Sequence, residues 1–159
     1  MQTIVGSSKV CAPVALTLVL VACAANVEPA PEVHPDAALL VAHGWVITSI
    51  KQDSVNKTTD LFATYALCSR DDVYTFSNDG TYTITGSATR CHPDDADLRL
   101  SSTWRWEAGI LRLHPDEPNE VAFSVSKITD EELVMQQIHT ANGQVVSVVT
   151  WRFRSTPRV

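Results

Sequence analysis

The chain from residue 45 onward consists of short segments in which apolar and polar residues alternate, and this pattern constrains its fold more than any other feature. Alternation with a period of two predicts strands that have one buried and one solvated face. Because the turns between the segments are short, we expect neighbouring strands to be antiparallel. The eight predicted strands cover residues 45–51, 72–76, 81–85, 102–107, 110–114, 120–128, 133–139 and 145–154.

Glycine marks the tightest predicted turns. These turns are Asp79-Gly80, Ala108-Gly109 and Asn142-Gly143. Glycine adopts at little cost the positive φ that a tight hairpin needs. Consecutive antiparallel strands leave no unpaired edge when they close into a ring. The predicted fold is therefore an all-β barrel. It is a small eight-stranded antiparallel up-and-down barrel with one short helix, at residues 60–67.

Large apolar side chains gather on one face of the predicted strands. On the last strand they are Val145, Val149, Trp151 and Phe153. A barrel of eight strands encloses room for packed side chains or for one small ligand. The tryptophans therefore either fill the interior or line a pocket, and the helix at residues 60–67 either plugs the barrel or acts as a lid. The tryptophans are Trp45, Trp104, Trp106 and Trp151.

The N-terminal residues have the pattern of an export signal. Lys9 precedes an apolar run over residues 12–21 that is too short to span a bilayer comfortably. The run ends in Leu20-Val21-Ala22-Cys23, which resembles the lipobox of bacterial lipoproteins. The resemblance implies a signal peptide over residues 1–22 and acyl chains such as palmitate on Cys23. Residues 23–38 are rich in proline and predict a tether, which leaves residues 39–159 for the barrel domain.

Two cysteines remain after the signal and the lipid site are set aside. They are Cys68 and Cys91. An even pair in an exported, oxidising setting predicts one disulfide. The pair lacks both the four ligands of a structural zinc site and the C-x-x-C spacing of a redox site.

The barrel region resembles the lipocalin-like domains of bacterial lipoproteins over about residues 39–154. The segments that carry the resemblance are residues 45–50, 68–76, 78–82, 111–113 and 128–133, with Cys91 and Trp104 between them. The resemblance implies a barrel that holds a small apolar ligand. We expect the ligand to contact Tyr65, Trp104, Trp106 and Phe123.

Composition and motifs argue against other classes of function. The formal net charge is −6 and the cations are not clustered, which argues against nucleic-acid binding. The five histidines are scattered, and the acidic residues 92–97 are typical of a solvated turn, so we predict no metal and no cofactor. The sequence lacks a nucleophile elbow, a phosphate loop and a dinucleotide motif. We therefore expect a protein that is not an enzyme, with a hydrolase as a remote alternative.

The sequence thus favours a binding module held in the cell envelope by a lipid. Its expected partners are the membrane, through the anchor, and a small hydrophobic ligand or an envelope protein. Ala24 replaces the Asp that retains some bacterial lipoproteins at the inner membrane, which favours the outer membrane. The alternative is a fully packed barrel that serves as an interaction or structural protein of the envelope, or as an inhibitor of an exported enzyme.

Overall fold

The computed structural model of the chain describes residues 35–94 and 96–158. In these residues one α-helix precedes nine strands. The elements are α1 (Pro35–Ala42), β1 (Gly44–Ser54), β2 (Lys57–Asp60), β3 (Val73–Phe76), β4 (Thr81–Thr85), β5 (Leu98–Glu107), β6 (Ile110–Leu113), β7 (Val121–Ile128), β8 (Glu132–Ala141) and β9 (Gln144–Thr156). All eight predicted strands are present, and β2 is the additional one.

Eight of the strands close into an antiparallel ring, which confirms the predicted fold. Strands β3 to β8 each pair with the next one along the chain, and β1 pairs with both β3 and β9. The closing pair is the longest contact, because β1 runs alongside β9 from Gly44↔Thr156 to Ser54↔Ser147. The predicted glycine turns fit this geometry: φ is +80° at Gly80, +81° at Gly109 and +75° at Gly143.

Strand β2 lies outside the ring. It pairs with the second half of β1, from Lys51↔Asp60 to Ser54↔Lys57, beyond the point where β1 leaves β3. Its residues are polar and mostly exposed, so their sequence carries no alternation that could predict a strand.

The helix is not where the sequence predicts it. Residues 60–67 contain 3₁₀ turns at Phe62–Thr64 and Leu67–Ser69 and no α-helix. The helical turn ends because the backbone is extended at Tyr65 and Ala66, where ψ is 138° and 128°. Arg70 donates to the carbonyl oxygens of Ala63 and Tyr65 on either side of this break. The α-helix of the described residues is α1, whose first half is the end of the predicted tether.

Helix α1 covers one end of the barrel, which we call the closed end. Leu40 is fully buried in the main core, and its carbonyl oxygen accepts a hydrogen bond of 2.9 Å from Nε1 of Trp45. Near the C-terminus, Arg158 donates to the carbonyl oxygens of Val41 and Phe76. These bonds tie α1, β3 and the C-terminal residues together across this end.

The predicted disulfide is confirmed. Cys68 and Cys91 are bonded, with their Cα atoms 5.1 Å apart. The bond joins the segment before β3 to the loop between β4 and β5. The signal peptide, Cys23 and residues 23–34 of the tether lie outside the described residues. Within the described part of the chain, no helix has the length and apolarity needed to cross a bilayer.

Candidate functional site: a cavity inside the barrel

The barrel encloses an apolar cavity of about 180 Å³. Its walls come from six strands of the ring, at positions where the period-two alternation turns the side chain inward. Almost all of the surface that faces the cavity is apolar. The lining residues are Tyr74, Phe76, Tyr82, Ile84, Leu113, Phe123, Leu133, Met135, Trp151 and Phe153.

Aromatic rings in edge-on contact shape the cavity. The ring of Tyr74 meets Phe153 at 5.5 Å between centroids, and the ring of Phe123 meets Trp151 at 6.0 Å. Such pairs are favourable geometries for aromatic side chains and restrict how the rings can move. The walls are therefore expected to keep their shape when the cavity is filled or emptied.

The hydroxyls of the two lining tyrosines lie near other polar groups of the protein. The hydroxyl of Tyr82 lies 2.9 Å from Nε2 of His114, whose Nδ1 lies 2.7 Å from the hydroxyl of Ser102. Burial, followed by the neighbouring hydroxyl of Tyr65, raises the pKa of Tyr74. Burial, followed by the negative charge of Glu117, raises the pKa of Tyr82, so both phenols stay neutral at ordinary pH.

The indole N–H of Trp151, which also lines the cavity, lacks such a hydrogen-bond partner in the described part of the chain. Its Nε1 is buried and finds no hydrogen-bond acceptor among the residues that the structure describes. A buried donor without an acceptor costs roughly 1–3 kcal/mol. The lining is thus built for apolar contact at some expense to stability.

Residues 61–70 cross the end of the barrel opposite α1, and we call them the mouth segment. The side chains of Leu61, Phe62 and Tyr65 pack against the core. The guanidinium of Arg70 lies 4.9 Å from the ring centroid of Phe62, in addition to its two bonds to backbone carbonyls. The disulfide at Cys68 fixes the same segment to the loop before β5. The mouth segment is therefore pinned at this end of the barrel, and none of its residues is among those that line the cavity.

The structure separates the four predicted ligand contacts. Phe123 lines the cavity, and Tyr65 reaches its wall through Tyr74. Trp104 lies toward the closed end, where its indole donates to the carbonyl oxygen of Ser77 at 3.0 Å. Trp106 packs against the core and is not among the lining residues. Ligand contact by these four residues stays a prediction.

The tryptophans divide between the two roles that the sequence left open. Trp45 is fully buried at the closed end and fills space, whereas Trp151 lines the cavity. Most of the other lining residues were not singled out from the sequence. Their signal is the same alternation that predicts the strands, but alternation marks every inward position and does not reveal which of them surround empty space.

A solved structure described as a complex of bovine odorant binding protein with a selenium-containing odorant is similar, with a TM-score of 0.39 and 14% sequence identity. The similarity covers 76% of this chain and 73% of that chain. No curated protein matches the sequence. The family model of the lipocalin-like domain matches residues 41–135. The chain belongs to this lipocalin-like domain family.

Proposed function

We propose that this protein is a lipid-anchored lipoprotein of the cell envelope whose barrel binds one small apolar molecule. The cavity of about 180 Å³ is the observation that carries the binding proposal. An engineered cavity of about 150 Å³ in another protein, lined by similar side chains, stays dry and binds benzene. A molecule the size of a small alkylbenzene or a short branched hydrocarbon fits the space inside this barrel.

The chemistry of the walls restricts the ligand further. The hydroxyl of Tyr82 already has a protein partner in His114, and nearly all of the surface that faces the cavity is apolar. A carboxylate or an ammonium group that entered would lose its hydration without gaining a partner, which is very costly. The preferred ligand is therefore neutral, with few polar atoms or none.

Calorimetric titration of the protein with ethylbenzene tests the proposal. We expect one binding site with a dissociation constant on the order of 10⁻⁴ M, in line with what so few apolar atoms contribute. The emission of Trp151 should shift on binding, because its ring lines the cavity. If neither heat nor tryptophan emission changes with any of a panel of small neutral hydrocarbons, the proposal that the cavity binds a ligand is wrong.

A matched pair of variants locates the site. Leu113→Trp places an indole ring in the cavity and should abolish binding. Leu98→Trp makes the same change at an exposed position on β5 and should leave binding intact. If Leu113→Trp does not fold, Ile84→Phe fills the same space with fewer added atoms. Equal binding by the filled and control variants would place the ligand elsewhere.

The anchor is supported by the Leu20-Val21-Ala22-Cys23 sequence, and the disulfide is in keeping with an exported protein. Several acyl chains on one cysteine bind a bilayer almost permanently, since each buried methylene contributes about 0.8 kcal/mol. Cys23→Ala should therefore move the protein from the membrane to the soluble fraction and remove the acyl mass. Cys11→Ala, within the predicted signal, is the control and should change neither. Membrane attachment that survives Cys23→Ala would contradict the proposed anchor.

A further inference from the structure

Strands β8 and β9 extend beyond the rest of the barrel as a two-stranded arm, which we define as residues 138–146. Every residue of the arm is exposed. The sequence places Val145 on the inward face with Val149, but a register shift between His139 and Thr140 separates the end of the hairpin from the alternation below it. Val145 and its neighbour Val146 are both exposed because the arm extends past the other strands, and the arm contributes no residue to the core.

One edge of the arm has no strand beside it in the described part of the chain. The pairing of β8 with β7 begins at Gln136↔Ser124 and runs only toward the closed end. Residues 137–141 of β8 pair with β9 alone. The backbone groups on the other side of these residues form a row that another strand can bind.

The arm lacks the features that normally protect such an edge. Exposed edges are usually guarded by charged side chains or by proline. Residues 133–151 contain no Asp, Glu, Lys, Arg or Pro. Instead, the arm exposes Ile138, Val145 and Val146, with 53% of Ile138 accessible. Ile138 also forms one side of an external groove whose other side chains include Ile110 and Ala122.

We propose that the arm pairs, edge to edge and antiparallel, with the arm of a second copy of this chain. Identical strands related by a two-fold axis are self-complementary, because each row of N–H and C=O groups meets the same row reversed. Charge favours a second copy over other occupants. Copies with a net charge of −6 repel each other, and the uncharged residues 133–151 are where they can approach closely.

The same charge argument disfavours two other occupants of the arm. A strongly charged partner would find no complementary charge there, and an anionic bilayer would find no cation to bind. Five paired residues bury less surface than a standard stable interface, so we expect a weak dimer that forms at high protein concentration.

Analytical ultracentrifugation of the full chain in a non-ionic detergent tests the inference over roughly 1 μM to 1 mM protein, the range in which small interfaces associate. The wild type should show a reversible monomer–dimer equilibrium. Ile138→Lys should weaken the dimer at least tenfold, because two arms would then carry like charges into the contact. Val55→Lys is the matched control: Val55 is an 84% exposed aliphatic residue in the β1–β2 turn, and its replacement should leave the equilibrium unchanged.

Mixing two oppositely charged variants identifies the contact as arm to arm. Ile138→Lys and Ile138→Glu should each be monomeric alone and should associate when mixed. Far-ultraviolet circular dichroism verifies that each variant remains folded. A wild type that stays monomeric throughout the range, or a dimer that Ile138→Lys and Val55→Lys affect equally, would overturn the proposal.

Discussion

Arg99 on β5 donates from Nε to Oδ1 of Asp72, the residue just before β3, across 3.0 Å. Asp72 is only 4% exposed, so this ion pair is largely removed from water. The same guanidinium donates to the carbonyl oxygens of Thr89 and Cys68. Arg99 therefore links β5, through one side chain, to the two pieces of chain that the disulfide joins, and it holds the base of the mouth segment in place.

Loss of Arg99 should destabilise the protein strongly. Arg99→Met leaves the Asp72 carboxylate buried without its cation, which typically costs about 3–5 kcal/mol of unfolding free energy. Chemical denaturation measures the loss. Arg90→Met is the control, because Arg90 pairs with Asp97 where both side chains are well exposed, and such pairs contribute about 1 kcal/mol or less. Equal losses for the two variants would show that burial of the Asp72–Arg99 pair is unimportant.

The contribution of Asp72 to the free energy of unfolding should depend on pH. Burial is the largest influence on this carboxyl, and its pKa is raised although the hydrogen bond and the charge of Arg99 lower it. The folded state then holds the proton more tightly than the unfolded chain. The contribution of Asp72 is therefore complete below the ordinary carboxyl pKa of about 4 and is lost as the pH rises through the folded pKa. The wild-type free energy of unfolding minus that of Asp72→Asn should fall over this range.

Asp79 provides a control of opposite sign for that measurement. Hydrogen bonds from the side chain and the backbone of Thr81 lower the pKa of Asp79. Its contribution is present above the ordinary pKa and is lost as the pH falls through the folded pKa. The difference between wild type and Asp79→Asn should therefore rise with pH. Slopes of the same sign for the two variants would contradict the assignment.

Removal of the disulfide should destabilise the fold without abolishing it. The bond closes a loop with a sequence separation of 23 residues, and a loop of this size is worth about 3 kcal/mol in the chain-entropy model. The double variant Cys68→Ser, Cys91→Ser should lose that amount in chemical denaturation. A reducing agent should lower the stability of the wild type to the same level and leave the double variant unchanged. A further loss in the reduced double variant would point to an effect of the reagent itself.

Two tryptophan substitutions should differ although the change in side chain is the same. Trp45→Phe removes the hydrogen bond to the carbonyl oxygen of Leu40 and opens space in a fully buried site, at a cost of at least about 2 kcal/mol. Trp151→Phe removes a buried N–H that has no acceptor among the described residues, and this relief offsets the lost ring contacts. We expect a net change within about 1 kcal/mol for Trp151→Phe. The reverse order in thermal or chemical denaturation would contradict this account.

The features that were predictable from the sequence are those that local chemistry fixes. At Gly80, Gly109 and Gly143 the turn requires positive φ whatever the rest of the fold does, and all three hairpins are present. Alternation likewise identified the eight ring strands. The even pair of cysteines that remains outside the predicted signal and lipid site was enough to predict the Cys68–Cys91 bond.

The features that could not be predicted depend on distant partners. Helix α1 contains little helical periodicity, and its burial depends on Leu40 entering the core beside Trp45. Strand β2 is polar and exists because β1 continues past β3 and offers a free edge. The exposure of Val145 follows from the extension of β8 and β9 past the other strands, which alternation does not reveal. The cavity is the part of the barrel interior that the inward side chains leave unfilled, so its size depends on all of them together and cannot be read from any single position.

The exchange of the proposed ligand should depend on Arg70. This side chain holds the mouth segment through the carbonyl oxygens of Ala63 and Tyr65 and through the ring of Phe62. Arg70→Ala should therefore speed both association and dissociation of ethylbenzene, with a smaller change in the dissociation constant, because the cavity walls keep their residues. Stopped-flow measurement of Trp151 emission gives both rates. Arg158→Ala is the control, since Arg158 ties the closed end, and it should lower stability while leaving exchange unchanged. Faster exchange in Arg158→Ala alone would mean that the ligand enters past α1 instead of the mouth segment.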